Sequence, residues 1–137
     1  MTKQIPYSSH YFPPIPVLHI RLHVPDTSQG YGPVKAVMDL GADMTIVPLT
    51  WLEQISAPEM DEVRIRGYWG KRIDVTTYLV DIQIGSVRLP AIEVAGDPYS
   101  TEALLGRNVL NVLILLLDGP KRVTDVLARR PRRVTHL

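Results

Sequence analysis

Apolar residues in this chain recur at every second position, in short runs that glycine, proline and polar turn residues cut off. Leu18, Ile20, Leu22 and Val24 alternate with His19, Arg21 and His23, and Tyr78, Val80, Ile82 and Ile84 alternate with Thr77, Leu79, Asp81 and Gln83. A period of two places one set of side chains on a buried sheet face and the other on the opposite face. Many short strands with frequent turn signals and only two short helical segments predict an all-β chain, folded as a compact barrel or sandwich.

At 137 residues the chain is of single-domain length. It has no cysteine, which excludes disulfides and thiolate metal sites and suits a reducing compartment. Of the histidines only His19 and His23 are neighbours. Four residues along a strand cover about 13 Å, too far to chelate one ion, so both are expected to be solvated strand positions. The N-terminus lacks the charged and apolar regions of a signal peptide, and the apolar run Val109–Leu117 is too short to span a bilayer. A cytoplasmic protein without a membrane partner is expected. Residues 121–137 hold six of the fifteen cations and one of the fourteen anions. Such a basic end is suited to nucleic acid or an acidic partner. Its arginines carry no interleaved aromatic for base stacking, which favours a solvated tail.

The segments fall into an order. Residues 1–16 read as a proline-rich extended arm, 17–127 as the folded domain and 128–137 as a basic tail. Within the domain, strands are expected at Val17–Val24, Val34–Met38, Met44–Leu49, Glu62–Arg66, Lys71–Ile84, Val87–Val94 and Ala103–Leu105, with Pro25–Pro33 as a loop. Thr50 and Glu53 have capping-box spacing, predicting a short helix over Trp51–Ile55 with Thr50 as its cap. Gly67-Tyr68-Trp69-Gly70 forms the aromatic tip of a long hairpin. A second short helix is expected over Arg107–Val112, and a last hairpin turns at Asp118-Gly119-Pro120.

One carboxylate stands out in this pattern. Val37-Met38 delivers Asp39 into a tight turn through Leu40, Gly41, Ala42 and Asp43, and another apolar run follows at once. A carboxylate between two strands is costly unless it is paired, hydrated or used. A single carboxylate cannot act as general base and general acid in one step. Two held close together can, because they share a proton: one takes a proton from water while the other polarises the carbonyl under attack. The chain has one such turn, so a dyad needs a second copy with its own Asp39 across a two-fold axis. Asp39 and Asp43, four apart on one turn, do not supply the opposed carboxylates of a glycosidase.

Asp39-Leu40-Gly41-Ala42-Asp43 resembles the Asp-Thr/Ser-Gly-Ala-(Asp/Ser) signature of retropepsin-like aspartic proteases. Leu104-Leu105-Gly106-Arg107-Asn108 is similar to that family's second, apolar-apolar-Gly-Arg-(Asn/Asp) turn, and the Gly67–Gly70 hairpin lies where the family has its flap. The order agrees from about Val17 to Leu127, and the closing hairpin resembles bacterial-type relatives. The resemblance implies a closed β-barrel with a flap and a homodimer that cleaves extended peptides without metal or cofactor. It makes Asp39 the catalytic carboxylate and assigns substrate contacts to Gly41, Ala42, Asp43, Ile46, Leu104 and the flap residues Tyr68, Trp69 and Gly70. Leu40, Gly106 and Arg107 support the site, with Arg107 paired to Asp43. Leu40 departs from the signature. The family's Thr or Ser hydrogen-bonds across the dimer axis there, and leucine has no hydroxyl. Some plant retroelement sequences look like Asp-Leu-Gly-Ala at this point. The chief alternative is a protease-like module that grips peptides by strand addition without cutting them, and a further one is a structural dimerisation domain with a basic tail.

Overall fold

The computed structural model describes residues 4–66 and 70–132. Ten strands and two short helices follow one another: β1 (Ile5–Pro6), β2 (Val17–His23), β3 (Gly30–Met38), β4 (Thr45–Pro48), α1 (Leu49–Gln54), β5 (Glu59–Arg66), β6 (Arg72–Ile84), β7 (Val87–Asp97), β8 (Ala103–Leu105), α2 (Arg107–Leu110), β9 (Ile114–Asp118) and β10 (Val123–Leu127). The strands β2-β3-β8-β4-β7-β6 are hydrogen-bonded in that order, and a β2–β6 pairing closes the ring. The barrel expected from the alternation is therefore the architecture found, and the sandwich is not. β5 pairs with β6 outside the ring, so Glu62–Arg66 and Arg72–Thr76 form a two-stranded arm.

Alternation explains which side chains fill the barrel. Leu18, Ile20 and Leu22 from β2, Val80 and Ile82 from β6, Val94 from β7 and Leu105 from β8 are essentially inaccessible to solvent. Each such aliphatic side chain contributes roughly 1.5–3 kcal/mol by leaving water. The N-terminal segment is stitched onto the domain: Ile5 pairs with Thr124 and is buried, and Ser8 bridges to Ile15.

Several local expectations shift for tertiary reasons. β3 starts at Gly30 because Tyr31 and Gly30 pair with Leu22 and His23, so the expected loop is shorter. β7 runs on to Asp97 because β4 lies parallel to it, with Thr45 to Pro48 opposite Val94 to Asp97. Helix α1 begins at Leu49 with Pro48 as N-cap, and no side chain caps it. Thr50 sits one residue inside the helix, so the capping box does not form. Leu52 is the residue by which the helix is buried. Helix α2 ends at Leu110, shorter than expected. His23 is buried and not solvated: β6 covers the end of β2, and His23 Nε2 lies 2.9 Å from Gln83 Oε1.

A buried carboxylate fastens the barrel wall. Asp81 accepts hydrogen bonds from Ala91 N at 2.8 Å, Asp26 N at 3.3 Å and Arg88 Nε at 2.9 Å. Burial pushes its carboxyl up, but these donors and the Arg88 charge outweigh that and hold it below the ordinary 3.8. A carboxyl depressed in the fold stabilises above its unfolded value and loses that contribution as pH falls through the folded value. Urea midpoints measured from about pH 5 downward should therefore fall for the wild type, and Asp81→Asn should flatten part of that decline. An unchanged acid limb in Asp81→Asn would rule Asp81 out as a source of the acid sensitivity.

Candidate active site

Two turns meet at one end of the barrel. β3 runs parallel to β8, with Val37 opposite Leu104 and Met38 opposite Leu105. The first residue beyond β3 is Asp39, whose N–H donates to the Leu105 carbonyl at 3.0 Å. Gly41 N donates to Asp39 Oδ1 at 2.9 Å, and Ala42 N to Asp39 O at 3.2 Å. The backbone thus folds around the half-buried carboxylate and points one donor at it. A Cβ at position 41 would lie 3.1 Å from that same Oδ1, so glycine lets the turn wrap this closely.

The second turn locks the first. Gly106 is buried against β4, where a Cβ would come within 2.5 Å of the Met44 backbone, so no side chain fits between the turns. Arg107 N donates to Ala42 O at 2.8 Å and Arg107 Nη1 to Leu40 O at 2.8 Å. Arg107 thus ties to the Asp39 turn through backbone carbonyls. Its guanidinium does not pair with Asp43, whose side chain is exposed; among the described residues the ion pairs are Arg64–Asp74 and Arg88–Asp81. The guanidinium reaches the Leu40 carbonyl directly, and a solvated carboxylate gains little from an added pair.

A polar knot that the sequence reading did not single out lies beneath the turns. Asn108 Oδ1 accepts from Thr45 N at 3.0 Å and from Thr45 Oγ1 at 2.8 Å, and Thr45 Oγ1 accepts from Gly106 N at 3.0 Å. Asn108 Nδ2 donates to Glu93 O at 2.9 Å. Thr45 is fully buried, so its hydroxyl and amide depend on these partners. A threonine that begins an apolar strand was the available signal.

A cavity of about 470 Å³ opens over the turns. Asp39, Gly41, Ala42, Asp43, Ile46 and Leu104 all line it, together with Met44. The two-stranded arm adds Arg64, Ile65, Arg66 and Arg72, which the sequence reading did not assign. Tyr68 and Trp69 lie outside the described residues. Gly70 is exposed, with φ +73°, and is not among the lining residues. Leu40, next to the carboxylate, is 62% exposed. The site sets two carboxylates, Asp39 and Asp43, in a groove whose walls are both apolar and charged. Among the described residues no three metal-ligating side chains come together, and no helix is long and apolar enough to cross a membrane.

Comparison with protein-family models and with curated proteins returns no match. Among solved structures the chain is similar to a retropepsin-like aspartic protease from Rickettsia conorii, with a TM-score of 0.60 and 15% sequence identity over 92% of this chain and 90% of that one. At that identity the likeness carries the fold, which is retropepsin-like.

Proposed function

We propose that the chain is one half of a homodimeric aspartic endopeptidase that hydrolyses peptide bonds in extended polypeptides. The observation that carries this reading is the placement of Asp39. Its carboxylate is fixed by Gly41 at the floor of a groove lined by Ala42, Met44, Ile46 and Leu104. In the dimer two Asp39 carboxyls share one proton and hold a water between them. The ionised carboxylate takes a proton from the water as its oxygen bonds to the scissile carbonyl carbon. The protonated one hydrogen-bonds to the carbonyl oxygen. Collapse of the tetrahedral adduct breaks the C–N bond, and a proton passes to the leaving nitrogen. The arm of β5 and β6 closes over the peptide as a flap and excludes water.

Two features support pairing of chains. Leu40, Leu116 and Leu117 are exposed apolar side chains, at 62%, 48% and 46%. Among the described strands β9 pairs only with β10, leaving one edge open to another strand. Leu40→Asp, which sets like charges against each other at the axis, should raise the dimer dissociation constant by at least about tenfold, or ~1.4 kcal/mol. Sedimentation equilibrium reads that change, and a dimer insensitive to Leu40→Asp would place the axis elsewhere.

Leu40 also favours a second reading, a peptide-gripping module with weak or no turnover, because it supplies no cross-axis hydroxyl. Incubating the chain with a peptide library between about pH 3 and 7, with products identified by mass, separates the two. Cleavage by a dimer is the expected result; retention of intact peptides by a dimer would establish the module instead.

A further inference from the structure

The roof of the groove carries a charge pattern that the hydrolytic reading does not use. Arg66 and Arg72 are direct cross-strand partners near the end of the arm, and both line the cavity above Asp39. Like charges in opposed positions of an antiparallel pair destabilise it. Two register steps down, the same arrangement is balanced: Arg64 faces Asp74, and its Nε donates to Asp74 Oδ1 at 3.0 Å. Among the described residues Arg66 and Arg72 have no such carboxylate. The other charges lining the groove are Arg64, already paired with Asp74, and Asp39 and Asp43 on the floor.

We infer that Arg66 and Arg72 form a subsite for an acidic side chain of the peptide, so that the enzyme prefers substrates with Glu or Asp near the scissile bond. This rests on the reading of the groove as a peptide site. Two guanidiniums side by side present forked donors that match a carboxylate, and an anion between them relieves their repulsion. The floor below is unsuited to a second carboxylate, since Asp39 and Asp43 are there, so the acidic side chain points to the roof. Its neighbours along the peptide point to the floor, where Ala42, Ile46 and Leu104 take apolar side chains. The recognised sequence thus alternates acidic and apolar residues. In a two-fold dimer each arm contributes one arginine pair, which extends the preference to both sides of the scissile bond.

The test uses matched peptides carrying Glu, Gln or Lys at each position in turn, read by binding to Asp39→Asn protein and, separately, by kcat/KM with the wild type. The Glu peptide should bind about tenfold more tightly than the Gln peptide at one or more positions, and the advantage should shrink with salt because both arginines are exposed. Arg66→Gln with Arg72→Gln should bring the Glu-to-Gln ratio near one, and Arg66→Glu with Arg72→Glu should shift the preference to Lys. That inversion requires a folded protein, so misfolding cannot produce it. Equal binding of Glu and Gln peptides, or a ratio that neither pair of substitutions moves, overturns the subsite. Binding with the expected preference but no cleavage by the wild type would overturn the endopeptidase while leaving the subsite standing. Absence of any peptide binding overturns both.

Discussion

Asp39→Asn should abolish peptide hydrolysis, lowering kcat/KM by roughly 10²–10⁴-fold or to background, while leaving the fold intact. The magnitude is that of losing positioned acid–base catalysis. The amide keeps an oxygen that can accept from Gly41 N, the bond that fixes the side chain at 2.9 Å, and the Asp39 N–H to Leu105 O bond at 3.0 Å involves only backbone. The turn therefore has every reason to hold its shape, and melting temperature and dimer mass should stay close to wild type. What the amide cannot do is give and take the shared proton. Substrate affinity should survive, because the groove walls are untouched. Measured on one preparation, activity, melting and peptide binding distinguish a chemical loss from a structural one. A variant that cleaves at the wild-type rate would show that Asp39 is not the reacting group.

Asn108→Ala should have the largest effect on stability among substitutions near the site. The amide satisfies three groups at once: Thr45 N, Thr45 Oγ1 and Glu93 O. Truncation strands the first two inside a fully buried residue. An orphaned buried polar group costs about 1–3 kcal/mol; because the three share one network, a total of roughly 3–4 kcal/mol is expected. For a domain of this size that corresponds to a melting point lower by about 10 °C or more. Because Thr45 also holds Gly106 N at 3.0 Å, turnover should fall together with stability. Asn108→Asp keeps the acceptor for Thr45 but sets a carboxylate oxygen against the Glu93 carbonyl where the amide donated, so it should sit between wild type and alanine. Urea midpoints for the three proteins check this order, and an alanine variant as stable as the aspartate would show that Thr45 finds other partners.

Much of this arrangement could be read before any coordinates. The alternation of Leu18, Ile20 and Leu22 reports burial because β-strand side chains have a fixed period, but closure into a barrel came from the β2–β6 pairing, which alternation does not show. Asp39 and Gly41 were legible because a carboxylate in a glycine turn has few inexpensive uses. What escaped notice depends on residues far apart in the chain. Thr50 has the residue type and spacing of a helix cap, yet α1 begins at Leu49 with Pro48 as its N-cap. His23 looked solvated along β2 alone and is covered by β6. Arg107 was paired with Asp43 by the family resemblance, while the geometry gave it the Leu40 carbonyl. The arginines of the roof become a pair only once the register of β5 on β6 is known.

The parallel pairing of β3 with β8 carries a consequence for the order of events as the protein is made. The amide of Asp39 is held by the carbonyl of Leu105, a residue from the other end of the domain. Until Ala103–Leu105 has been synthesised and docked, nothing fixes the peptide plane that aims the carboxylate. Such distant contacts close late, after nearer strands have paired. A partly synthesised chain therefore carries every atom of the Asp39 turn without its working shape. The distance in sequence between the two turns acts as a timer that withholds the final shape of the Asp39 turn until the barrel around it is complete.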